Sequence, residues 1–138
     1  MDTKAKINDD VKAIRKVGEE FFAGVNTGDL ERRMATMEPD VVIMPPDRPS
    51  IVGTEELWRL SRDYAATFDE KCSVAYTEIE IAGDWGFAQA TVTGTRTSKA
   101  DGVVEPVDLK NLWIFKRHAG GEWKFWRIMF NRVSPSPE

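Results

Sequence analysis

The sequence predicts an α+β domain, with helices gathered at the start of the chain and an antiparallel sheet built from the rest. Three observations carry this. Apolar residues recur at spacings of three and four in segments between Val11 and Phe68. From Cys72 the period changes to two. Residues 106–133, PVDLKNLWIFKRHAGGEWKFWRIMFNRV, then read as one long β-hairpin around His118-Ala119-Gly120-Gly121.

Each element follows from its own residues. Residues 1–8 form a flexible lead-in, and Asn8 or Asp9 caps a helix over 9–26. Val11, Ile14, Val17, Phe21 and Val25 make its buried face. Gly28 ends it as a left-handed cap, and Asp29 caps a short helix at about 29–37. Val41 to Met44 is a short strand, and the proline-rich 45–49 cannot be regular structure. Residues 50–53 pair loosely with that strand. Thr54 caps a third helix, whose inward face is Leu57, Trp58, Ser61, Tyr64, Ala65 and Phe68. Strands follow at 72–81 and 85–97, joined by Gly83-Asp84. Residues 134–138 are a disordered tail, so 9–133 forms a single domain.

Within the hairpin, pairing Arg117 with Glu122 sets opposite charges beside the turn and brings Trp113 opposite Trp126. Asn111 then faces Ile128, and Leu109 faces Phe130. Asn111 is an amide among large apolar neighbours, and a buried amide must find hydrogen-bond partners. Those partners are either the protein's own groups or a ligand.

Composition narrows the function. The chain has 138 residues, 41% hydrophobic and 30% charged, which suits one globular domain. A net charge of −4 argues against a nucleic-acid partner. The single Cys72 cannot form an internal disulfide, and no apolar run is long enough to span a bilayer. The expectation is a soluble, cytoplasmic protein without membrane association. One histidine and one cysteine far apart offer no metal-ligand spacing, and neither a serine-nucleophile motif nor a phosphate-binding glycine loop occurs. No metal or other cofactor is expected.

Several stretches carry a resemblance. They are Phe21-Phe22-Ala23-Gly24-Val25-Asn26-Thr27-Gly28-Asp29-Leu30, Pro39-Asp40-Val41-Val42 with Met44-Pro45-Pro46, Ile51-Val52-Gly53-Thr54-Glu55-Glu56-Leu57, and Gly121-Glu122-Trp123-Lys124. The chain resembles the nuclear transport factor 2-like superfamily, within it the ketosteroid-isomerase-like and SnoaL-like group. The resemblance implies a cone-shaped curved antiparallel sheet closed by three N-terminal helices. In ketosteroid isomerases a tyrosine and a protonated aspartate form the oxyanion hole, and a second aspartate is the base. The flanking motifs put the tyrosine position on Phe21, the base position on Pro45 and the strand aspartate on Asn111. The resemblance therefore carries over the pocket and not steroid isomerisation. Asn111 can still donate an amide hydrogen bond to an oxyanion.

The expected lining for a small apolar or aromatic molecule is Phe21, Met44, Trp58, Asn111, Trp113, Trp126, Ile128 and Phe130, with Tyr64 and Phe68 near the wide end. The same aromatic residues also suit plain core packing. No catalytic residue is assigned; the candidates are Asn111, Tyr64 and Asp108, with Asp47 and Asp63 as further nearby carboxyls. Strand alternation turns Asp108 away from Asn111. His118 is expected to be a solvated turn residue. The expected function is a small-molecule pocket protein doing acid–base chemistry of the isomerase or cyclase kind. The alternative is a non-catalytic association module whose cone is filled by its own side chains. The sheet's second face also carries apolar residues, including Leu112 and Ile114, and a homodimer is the expected way to cover it.

Overall fold

The computed structural model describes residues 3–133. The order is α1 (Thr3–Thr27), α2 (Leu30–Met34), β1 (Met37–Met44), β2 (Ile51–Val52), α3 (Thr54–Thr67), β3 (Phe68–Ala82), β4 (Trp85–Ser98), β5 (Val104–Arg117) and β6 (Trp123–Arg132). The six strands form one curved, unclosed sheet in the order β2-β1-β6-β5-β4-β3. This is the α+β cone that the sequence predicts. One pairing departs from a purely antiparallel sheet: β1 runs parallel to β6. No helix among the described residues is long and apolar enough to cross a membrane.

Helix α1 starts at Thr3, so Thr3 to Asn8 are helical and not a lead-in. Asp10 consequently lies inside the helix, on its buried side. The helix stops where expected. Gly28 has φ 73°, and Asp29 N–H donates to Gly24 O at 2.9 Å. Asp29 then caps α2, its carboxylate accepting from Arg32 N–H at 3.1 Å. Helix α2 ends at Met34, and Met37 heads β1. The cap of α3 is Gly53, one residue before the expected Thr54. Phe68 is already extended, so β3 begins four residues before the expected Cys72. The expected tail, 134–138, lies outside the described residues, as do Met1 and Asp2.

Two β-bulges organise the core. In β3 the pairing with β4 shifts between Tyr76 and Glu78, leaving Thr77 as the extra residue. Val74, Tyr76, Ile79 and Ile81 therefore all pack against the core, despite the change from even to odd positions. In the final hairpin the register shifts between Ile114 and Phe115. Trp113 faces Ile128, Asn111 faces Phe130, and Arg117 faces Trp123. The expected Trp113–Trp126 pair is thus overturned, because a longer turn and the bulge at Trp126 move the partner strand along. Trp123, Phe125 and Ile128 end up buried. Phe125 sits at the centre, with ring centroids 4.5 Å from Phe115 and 5.3 Å from both Trp113 and Phe21. Each such ring contributes about 1.5–3 kcal/mol by leaving water.

The far edge of the sheet is tied to α1. Asn26 Nδ2 donates to Cys72 O, and Cys72 N–H donates to Asn26 Oδ1, both at 2.7 Å. One side-chain amide thereby occupies both backbone groups of an edge residue.

Candidate functional site

A cavity of about 560 Å³ lies between the helices and the covered face of the sheet. Much of its wall is apolar, from Ile43, Leu57, Val92, Phe125 and their neighbours. Phe21, Asn111, Trp113, Ile128, Phe130 and Tyr64 all line it. The three positions matched to ketosteroid isomerases, Phe21, Pro45 and Asn111, line this one space.

Four expected residues do not, among them Phe68, which heads β3 and packs against Tyr64 and beneath Arg96. Met44 pairs with Met129 on the outer face, because β1 turns Ile43 inward and alternation turns the next residue out. Trp58 lies a fraction of a turn away from the Leu57, Leu60, Ser61 and Tyr64 stripe by which α3 meets the cavity. Trp126 is thrown outward by its bulge. It packs edge-on against Trp85, centroids 4.9 Å apart, beneath the Arg127 guanidinium. Asp108 borders the cavity on a strand whose pairing with β4 is unbroken there, so no bulge turns it toward Asn111.

Asn111 is 8% exposed, lines the cavity and finds partners among the protein's own groups. Its Nδ2 donates to Leu109 O at 3.3 Å, and its Oδ1 accepts from Trp113 Nε1 at 3.2 Å. The amide carries two N–H groups, and only one of them has this long contact. The second is available to an oxygen in the cavity.

Sequence reasoning missed a polar end of the cavity built by Arg33, Glu70, Arg96 and Glu105 beside Ser61 and Tyr64. Tyr64 donates its hydroxyl to Glu70 Oε1 at 2.9 Å. Burial, with the adjacent Glu70 carboxylate, pushes the phenol up to about 12. Tyr64 therefore stays protonated at neutral pH, as a donor and not a base. Arg96 pairs with Glu105 and stacks over Phe68, 4.4 Å from the ring centre. Arg33 stacks over Phe21 at 4.9 Å, and its Nε is buried without a hydrogen-bond partner. Burial lowers its pKa, against the opposing pull of Glu70 and Tyr64. Ser61, 3% exposed, also has a buried hydroxyl without a partner. Cys72 lines the wall, and burial pushes its thiol up to about 12, which leaves it a poor nucleophile.

Two further charged clusters, around Asp10 and around His118, sit away from this space. Asp10 accepts two hydrogen bonds from Arg117, at 2.8 and 2.9 Å, and one from Trp123 Nε1 at 3.3 Å. His118 is not simply solvated. Its Nε2 lies 2.6 Å from the buried Glu38 carboxylate, because the turn folds back toward β1. Among the described residues no group of three potential metal ligands comes together.

Comparison with known proteins agrees with this geometry. The SnoaL-like domain profile matches residues 19–133. A ketosteroid isomerase-like protein from Erwinia carotovora atroseptica is 29% identical, with 93% of this chain and 99% of that one covered and a TM-score of 0.85. A conserved protein from Planctomyces limnophilus is 25% identical, covering 93% and 98%, again with a TM-score of 0.85. The hexachlorocyclohexane dehydrochlorinase LinA-type3 from Novosphingobium barchaimii shares the fold at 14% identity, with a TM-score of 0.81 and coverage of 94% and 90%. No protein of curated function matches the sequence. A match over residues 19–133, on a cone whose cavity gathers the three positions singled out by the motifs, identifies this chain as a member of the SnoaL-like domain family.

Proposed function

We propose that this protein binds a small, flat, largely apolar molecule in the cavity. Any transformation there is acid–base chemistry at an oxygen of that molecule, of the isomerase or cyclase kind. The observation that carries the reading is the open volume itself: about 560 Å³, within the range of small-molecule sites, with Asn111 in its wall. Asn111 polarises a ligand oxygen, while the Tyr64 hydroxyl stays bonded to Glu70 at the polar end. The likeness to a ketosteroid isomerase-like protein supports the pocket. Phe21 and Pro45 speak against steroid isomerisation, since neither can supply the hydroxyl or the carboxylate that the reaction uses.

Tryptophan fluorescence tests this, because Trp113 lines the cavity. Titration with 4-androstenedione and with 2-naphthol is expected to give a saturable change for at least one of them. Asn111→Ala should weaken that binding by about three- to tenfold, the worth of one neutral hydrogen bond. A flat response to both would overturn the reading and leave the association module.

The partner we propose on the outer face is a second copy of this chain. Leu112 and Met129 pair there, 48% and 49% exposed, beside exposed Phe87 and Trp85. One cross-sheet row reads Glu80, Phe87, Ile114, Arg127, acidic at one end and basic at the other. A two-fold axis along the strands lays the acidic end of each copy on the basic end of its mate, with the apolar centre between. Light scattering after gel filtration is expected to give twice 15.6 kDa, and Leu112→Glu about half that value. A wild-type monomer at tens of micromolar would remove this proposal. The single buried Cys72 supports residence in the reducing cytoplasm.

A further inference from the structure

We infer that the molecule taken by the cavity carries a carboxylate, received by the Arg33 guanidinium and the Ser61 hydroxyl. The inference rests on the ligand-binding reading of the same cavity and names its ligand class.

Buried polar atoms in folded proteins are almost always hydrogen-bonded, so each exception calls for a physical reason. Two exceptions lie on this one cavity: Arg33 Nε and Ser61 Oγ. Their neighbours are already served. Glu70 receives the Tyr64 hydroxyl, and Glu105 receives Arg96. Glu70 acts on Arg33 through space, yet among the described residues Arg33 forms no ion pair. The Phe21 ring beneath Arg33 orients the guanidinium and offers it no anion.

Leaving a cation and a hydroxyl unserved in a cavity wall is costly, unless a ligand completes them. A wholly apolar ligand would complete neither. A carboxylate matches the planar donor fork of arginine, and its second lone pairs accept from a serine hydroxyl. The apolar wall opposite, with Ile43, Val92 and Phe125, receives the rest of the molecule. The ligand class is therefore an aromatic or alicyclic carboxylic acid, with its charged end between α2 and α3.

The full-length protein is titrated with 2-naphthoate and with its neutral analogue 2-naphthamide, followed by tryptophan fluorescence and calorimetry at pH 7. The wild type is expected to bind the acid about tenfold or more tighter than the amide. Arg33→Met should abolish that preference, weakening the acid far more than the amide, whose carbonyl also accepts from the guanidinium. Its unliganded thermal midpoint should fall by little, since no ion pair is removed and the methionine keeps the contact with Phe21. Ser61→Ala should narrow the preference by a few fold, an independent check if Arg33→Met folds poorly. Equal wild-type binding of acid and amide, or a preference that survives in Arg33→Met, would overturn the carboxylate assignment alone. Binding of neither probe, nor of the neutral compounds above, would overturn the ligand reading and this inference with it.

Discussion

Replacing Asp10 by alanine is expected to cost the domain about 3–5 kcal/mol in urea unfolding. The residue is 8% exposed, and its carboxylate binds Arg117 through both oxygens. Arg117 also reaches Gly83 O at 3.1 Å and Asp84 at 3.2 Å, so it holds the β3–β4 turn against α1. Removing Asp10 leaves the guanidinium and the Trp123 N–H without their main acceptor. The ion pair need not be better than an apolar substitute; breaking half of it is what costs. The pH dependence has a definite sign. The Arg117 hydrogen bond, which outweighs the cost of burial, holds the Asp10 carboxyl below its ordinary 3.8. Its contribution is complete above that value and is lost as pH falls through the lowered folded-state value. Asp10→Asn should therefore flatten the loss of stability below pH 3.8. A cost under about 1 kcal/mol for Asp10→Ala would contradict the buried pair.

Gly94→Ala is expected to cost about 3 kcal/mol or more, although it adds one methyl group. Gly94 pairs with Cys72 on one side and Val107 on the other. A Cβ built there would lie 1.9 Å from Lys71 O and 2.8 Å from Cys72 Cα. Both are backbone atoms of a paired strand, so no side-chain rotation relieves the clash, and β3 must move away from β4. Cys72 and Val92 line the cavity, so the same shift reshapes its wall. Urea unfolding together with amide exchange around Cys72 checks this. Wild-type stability with unchanged protection would show that the strands can separate freely.

The fold was legible in the residues because each level agreed with the next. Helical periodicity ended at Gly28, period-two alternation began near Cys72, and the turn residues fell between them. Asn111 was legible as an amide in an apolar strand, and it does reach the cavity. The register was not legible from a single uninterrupted alternation. Val74 and Tyr76 have one parity and Ile79 and Ile81 the other, as do Trp123 and Phe125 against Ile128 and Phe130. A strand that buries both sets needs one extra residue between them, and that change of parity was a signal of the bulges. Overlooking it placed Trp126 at the cavity. Arg33 was missed for another reason. The expected helix ran over about 29–37, whereas α2 is a single turn seated against Gly24. A Cβ at Gly24 would come within 2.8 Å of Arg33 N. That close seat, which sequence spacing does not report, is what brings the arginine inward.

The clasp between Asn26 and Cys72 bears on how the protein behaves in a crowded solution. β3 is the longest strand and borders the sheet, so it offers a ready template for chain-to-chain strand addition. With the amide seated on Cys72, and Lys71 turned onto Asn26 O, an incoming strand finds that stretch of the template already taken. Fibril growth is thus discouraged by a residue that belongs to a helix.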